Sequence, residues 1–145
     1  MNIIYISDFF VEQIAGGGEL VDDCLIKHLT SRGFSVSRMN SDKVSPVFLQ
    51  NNKENFFIVS NFVNLSEPNK KALDSCRYII YEHDHKYILG RDPSPYSNFI
   101  VPPDALCNLY FYKNAQTVIC QSGLHAEVLR KNIKSDNIIS AGCTP

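Results

Sequence analysis

Apolar positions along this chain follow two alternating rhythms, short unbroken runs and helical repeats. Residues 2–6 (Asn-Ile-Ile-Tyr-Ile) form an apolar run ending at Ser7 and Asp8, the pattern of a strand covered on both faces. Over 18–32, Leu20, Val21, Cys24, Leu25 and Leu29 recur at helical spacing, Asp22, Asp23, Lys27 and Ser31 take the other side, and Gly33 supplies the stop. Residues 34–39 alternate apolar and polar, which predicts a strand nearer the sheet edge. Residues 55–62 read as a central buried strand. Ser66 then caps a helix that carries Pro68 in its first turn and runs to about Asp74. Residues 77–84 predict the next strand. After a loop over 86–103, a helix is expected over 103–115, a strand over 117–122, a helix over 123–133 with Leu124, Val128 and Leu129 on one face, and a short strand over 137–142.

Strands and helices thus alternate over the whole length. That order predicts an α/β fold, a Rossmann-like mostly parallel sheet with helices on both faces, formed by residues 1–145 as one domain. In such sheets ligands bind outside the carboxyl ends of the strands. The rule directs attention to Ser7, Asp8, the glycine run at 16–18, Asn61, residues 82–85, and Gln121 with Ser122.

Composition narrows the partners. The chain has 145 residues, 44% of them hydrophobic, enough for a sizeable core. A formal charge of -1 and a pI near 6.4 provide no basic field for nucleic acid or acidic membranes. The five cysteines form no C-x-x-C pair, and they read mostly as small buried hydrophobes in a reduced compartment. The start of the chain lacks the pattern of a secretory signal, and no run approaches the ~18 apolar residues of a membrane span. A cytoplasmic, soluble protein is expected.

The candidate chemistry lies at the strand ends. Gly16, Gly17 and Gly18, with Glu19 behind them, either let a substrate approach the backbone at a helix N-terminus or simply form a flexible helix entry. Their spacing departs from G-x-G-x-x-G, and the connection of about ten residues exceeds the usual two to six, so a dinucleotide fingerprint is not expected. Glu82, His83, Asp84 and His85 form the densest chemical stretch, offering an acid–base pair, a single substrate-binding histidine, metal ligands or a mere anchor for the next loop. The loop over 86–103 holds four prolines, Lys86 and Arg91, and reads as a binding segment or a stiffened excursion. Lys70-Lys71 and Arg130-Lys131 read as solvated helix faces, and His28 and His125 receive no role. No nucleophile elbow or Walker loop is present.

The first strand, the G-G-G-E run at 16–19, His83-Asp84 at a strand end and Val-Ile-Cys-Gln-Ser at 118–122 leading into a helix together resemble the N-terminal domain of GT-B glycosyltransferases of the family-four type. The resemblance spans nearly the whole chain. It implies that this domain binds a sugar or glycan acceptor, while a C-terminal domain, missing here, binds the nucleotide-sugar. It also implies that Gly16, Gly17, Gly18, Glu19, Asp84 and Ser122 contribute to substrate or donor-phosphate binding, and that His83 is the catalytic residue facing the transferring sugar. No metal and no cofactor besides the nucleotide-sugar are implied. At 140–145, Ser-Ala-Gly-Cys-Thr-Pro departs from the family's usual Asn-Gly-Val-Asp-like turn, keeping Gly142 but placing Thr144 where an acid is expected.

Two other readings compete. One is a free-standing flavodoxin-like module that binds a phosphorylated small molecule at the same rim; its receiver-like version is disfavoured because the central strand ends in Ser60-Asn61. The other is a small metal-dependent enzyme built on His83 and His85.

Overall fold

The computed structural model describes residues 2–142. Its architecture is α/β and Rossmann-like, an all-parallel sheet flanked by helices. Two compact units, Met1–Tyr78 and Ile79–Pro145, make up the chain.

In Met1–Tyr78, β1 (Asn2–Ser7) pairs in parallel with β2 (Ser35–Asn40) and with β3 (Phe56–Val59). β1 is buried along all but its first residue, as its continuous apolar run demands, whereas β2 pairs only with β1 in this unit and is largely exposed. α1 (Gly17–Ser31) joins β1 to β2 and ends where Gly33, at φ +94°, takes a left-handed backbone that its missing Cβ permits. α2 (Pro46–Asn51) lies in a stretch where no helix is predicted. It is a single short turn-and-a-half, too brief for periodicity to reveal, although Ser45 accepts a hydrogen bond from the Phe48 amide and Pro46 sits in its first turn. α3 (Glu67–Leu73) follows Ser66 as expected, but without a side-chain cap. Tyr5, Ile6, Leu49, Phe57, Val59, Phe62 and Leu73 form the core.

In Ile79–Pro145, β5 (Val118–Cys120) pairs in parallel with β4 (Arg77–Glu82) and β6 (Ile138–Ser140). The helix expected over 103–115 is shorter, α4 (Leu109–Asn114), preceded by a 3-10 turn at Pro103–Ala105. α5 (Gly123–Ile133) packs on β5 and β6. Ile80, Phe111, Tyr112, Val118, Ala126, Leu129 and Ile138 form this unit's core.

Several expected burials shift. On α1 the buried residues are Asp22 and Ile26, while Leu20 is 51% exposed and Cys24 also faces solvent. The inward face is thus rotated from the one that apolarity alone marks. On α5, Val128 and Leu129 are buried, but Leu124 is 66% exposed. Of the four described cysteines only Cys120 is buried, and burial pushes its thiol up to about 12. Lys70 is not solvated: it packs on the Phe62 ring and reaches Glu67 at 3.0 Å. Among the described residues no helix is long and apolar enough to cross a membrane. Cys143, Thr144 and Pro145, part of the divergent C-terminal turn, lie outside the described residues.

Candidate functional site

In Met1–Tyr78 the glycine run forms the mouth of α1. Gly16 is the N-cap and Gly17 and Gly18 open the first turn, one residue earlier than the periodicity predicts. No side chain caps the helix. Glu19, the third helical residue, folds its carboxylate back against Gly16. A Cβ on Gly16 would collide with that carboxylate, whereas one on Gly17 would meet nothing within 4 Å. The mouth therefore joins main-chain N–H donors of a helix N-terminus to a carboxylate acceptor. Such a pair suits a hydroxyl, which both donates and accepts, and a phosphate arriving there meets the charge of Glu19.

Behind this mouth lies a polar cluster that the periodicity conceals. Asp22 is fully buried and accepts hydrogen bonds from the Tyr5 hydroxyl at 2.5 Å and the Ser60 hydroxyl at 2.8 and 2.9 Å, with the Ser7 hydroxyl at 3.5 Å. Tyr5, Ser7 and Ser60 are themselves buried, so the carboxylate ties α1 to β1 and the end of β3. The only signal in the sequence is a pair of serines closing two otherwise apolar strands. Asp8, at the expected rim, accepts from the Val63 and Asn64 amides, both at 2.9 Å, and shapes the loop after β3.

In Ile79–Pro145 the stretch after β4 is organised by Lys86. Its ammonium donates to Glu82 at 2.9 Å and to Asp84 at 2.7 Å, and both Lys86 and Glu82 are buried. Burial opposes the charge of Lys86, but Glu82 and Asp84 outweigh it and hold the ammonium above its ordinary range. Arg91 adds a longer contact to Asp84 at 3.6 Å. Tyr112 is raised well above the usual phenol range, first by burial and then by Glu82.

The two histidines of this stretch face different partners. β4 stops at Glu82, so strand alternation no longer aligns them. His83 hydrogen-bonds the side-chain amide of Gln121 and packs on Tyr81, with ring centroids 5.1 Å apart. His85 shares a 2.7 Å hydrogen bond with the Tyr87 hydroxyl and lies against His125, ring centroids 4.2 Å apart at 30°. Burial, followed by the charge of the neighbour, lowers both of these pKa values: His125 acts on His85, and Lys86 on His125. His125, given no role by its sequence context, thus joins the cluster. Ser122 caps α5, its hydroxyl accepting from the His125 amide at 3.1 Å. Among the described residues, no group of three His, Cys, Asp or Glu side chains is placed to hold a metal ion.

The loop over 86–103 is fastened at both ends. Tyr87 and Ile88 are buried, Leu89 donates to the Ala105 carbonyl at 2.9 Å, and Asn132 accepts from the Val101 amide at 2.8 Å and donates to the Phe99 carbonyl at 2.9 Å. Its exposed middle carries Leu89, Arg91, Phe99 and Ile100.

Compared with known proteins, the chain matches no family model and no curated protein sequence.

Proposed function

We propose that this chain is the acceptor-side, N-terminal domain of a retaining, nucleotide-sugar-dependent glycosyltransferase of the GT-B, family-four type. The observation that carries the reading is the mouth of α1, where an uncapped glycine entry places N–H donors beside the Glu19 carboxylate at the carboxyl end of β1. This combination complements the hydroxyls of a sugar acceptor. In the other unit His83, Asp84 and Ser122 stand after β4 and β5, where the same rule puts ligand-binding groups. His83 is the residue proposed to face the transferring sugar. A second domain would supply the nucleotide-sugar, and groups on it would stabilise the departing nucleoside diphosphate while the closed cleft excludes water. The reaction so conceived needs no metal from this chain, and its setting would be the cytoplasm.

The test is a transfer and binding assay against a panel of nucleotide-sugars, with the 145-residue chain alone and with a form extended beyond Pro145. Transfer by the extended form only, with acceptor binding by the short one, is the expected result. In the extended form His83→Ala should lower turnover on the order of a hundredfold, with far less effect on the unfolding midpoint. Unchanged turnover removes His83 from the chemistry. Binding of a phosphorylated small molecule by the short chain, with no transfer in either form, would favour the flavodoxin-like module instead.

A further inference from the structure

The hydrogen bonds around His83 determine which of its ring nitrogens carries a proton. Gln121 directly follows β5, and its side-chain nitrogen donates to the main-chain carbonyl of Glu82 at 3.3 Å. A carbonyl oxygen can only accept, so this contact identifies the end of the amide turned toward β4 as the NH₂ group. The same nitrogen hydrogen-bonds Nδ1 of His83. Flipping the amide would set its oxygen against the Glu82 carbonyl, two acceptors face to face. With a donor held against it, Nδ1 is the acceptor and bears no proton, and a neutral imidazole then carries its single proton on Nε2. Tyr81, packed at a 59° tilt on the same ring, opposes the ring flip that would turn Nδ1 away from Gln121 and put the carbon Cδ2 in its place.

We propose that Gln121 is the positioning residue for His83, holding the imidazole in its Nε2–H form so that it meets the substrate as a hydrogen-bond donor and not as a base. The fitting partner is an oxygen acceptor, a hydroxyl or ring oxygen of a sugar. No proton is transferred in this role; Nε2 keeps it throughout. The substrate side of the proposal rests on the glycosyltransferase reading, whereas the tautomer stands on the geometry alone.

Long-range proton–nitrogen NMR spectra of the full chain, labelled at its 4 histidines, read the tautomer directly. At about pH 8.5, above the ordinary histidine range, His83 should favour Nε2–H by about tenfold or more, the weight of one good hydrogen bond. Gln121→Glu replaces the donor by an acceptor and should reverse the preference to Nδ1–H. Gln121→Leu should leave a mixture, a result that loss of packing alone would not couple to the reversal in the glutamate variant. If the glutamate variant fails to fold, the leucine variant carries the comparison. A wild-type ring protonated on Nδ1, or one tautomer shared by every folded form, overturns the proposal. Failure of sugar transfer in every form, with the tautomers as expected, would retire the glycosyltransferase reading but leave the control of His83 by Gln121 in place.

Discussion

Asp22 in Met1–Tyr78 and Glu82 in Ile79–Pro145 are both without exposed surface, yet Asp22 is surrounded by hydroxyls and Glu82 is held by an ammonium. The hydroxyls come from β1 and from the residue directly after β3, so Asp22 fastens a helix to a sheet. Glu82, Asp84 and Lys86 lie within five consecutive residues, so their ion pairs shape one turn, the turn that carries His83 and His85. The difference lies in what remains after damage. Removing a hydroxyl leaves a carboxylate with other donors, but removing the ammonium strips the buried Glu82 of its cation and leaves Asp84 only the longer contact with Arg91.

The largest effect should therefore come from Lys86→Met. Breaking a buried pair at one partner is expected to destabilise the chain by about 3–5 kcal/mol, measured by urea unfolding. Adding Glu82→Gln should recover a large part of that loss, and a double variant no more stable than the single one would contradict the pairing. Asp22→Ala should cost roughly 3 kcal/mol, since at least two buried hydroxyls lose their acceptor at about 1–3 kcal/mol each. A loss under about 0.5 kcal/mol would mean that these hydroxyls find other partners.

Acidification should separate the two units next. Burial lowers the pKa values of His85 and His125, so the unfolded chain binds protons more readily than the folded one. Their contribution is complete above the ordinary histidine pKa of about 6.5 and is lost as pH falls through that value toward the lowered ones. The urea midpoint should thus fall between about pH 7.5 and 5.5, and His125→Gln should flatten the change. Glu12 and Asp92, whose carboxyls are held low by Arg38 and by Ser94, titrate below this window. Met1–Tyr78 has only His28, exposed in the last turn of α1, so amide exchange should show the acid-induced loosening in Ile79–Pro145.

The smallest effects belong to the glycines. Gly17→Ala enters open space at a helical position and should stabilise by about 0.5 kcal/mol through the unfolded chain. Gly16→Ala displaces the flexible Glu19 carboxylate, so it should leave stability within about 0.5 kcal/mol while weakening acceptor binding. Equal binding by both variants would break the assignment of the α1 mouth.

Much of this framework is legible in the sequence. The apolar run at 2–6, the repeat that becomes α1 and the stop at Gly33 each act through neighbours a few residues away, whereas the side-chain cap expected from Ser66 is absent and Ser122, read only as a binding residue, caps α5. α2 escapes the same reading because six residues are too few for a helical period. The buried face of α1 escapes it for another reason. Periodicity assigns Asp22 to solvent because an isolated acid belongs there, and it has no means of registering Ser60, 38 residues further on. Lys86 carries a clearer trace, standing two and four residues beyond its acids, although that spacing alone does not separate a solvated turn from a buried one.

The alternation of strands and helices, the parallel α/β class and most helix stops follow from local backbone preference and apolar spacing, and so are written in the order of residues. Which polar groups are buried, and which nitrogen faces which donor, depends on contacts that exist once the chain has folded. Asp22 finds Ser60, and His83 finds Gln121, across intervals that no local pattern spans. A buried polar group is tolerable only when such a partner arrives, and its arrival is a property of the folded chain.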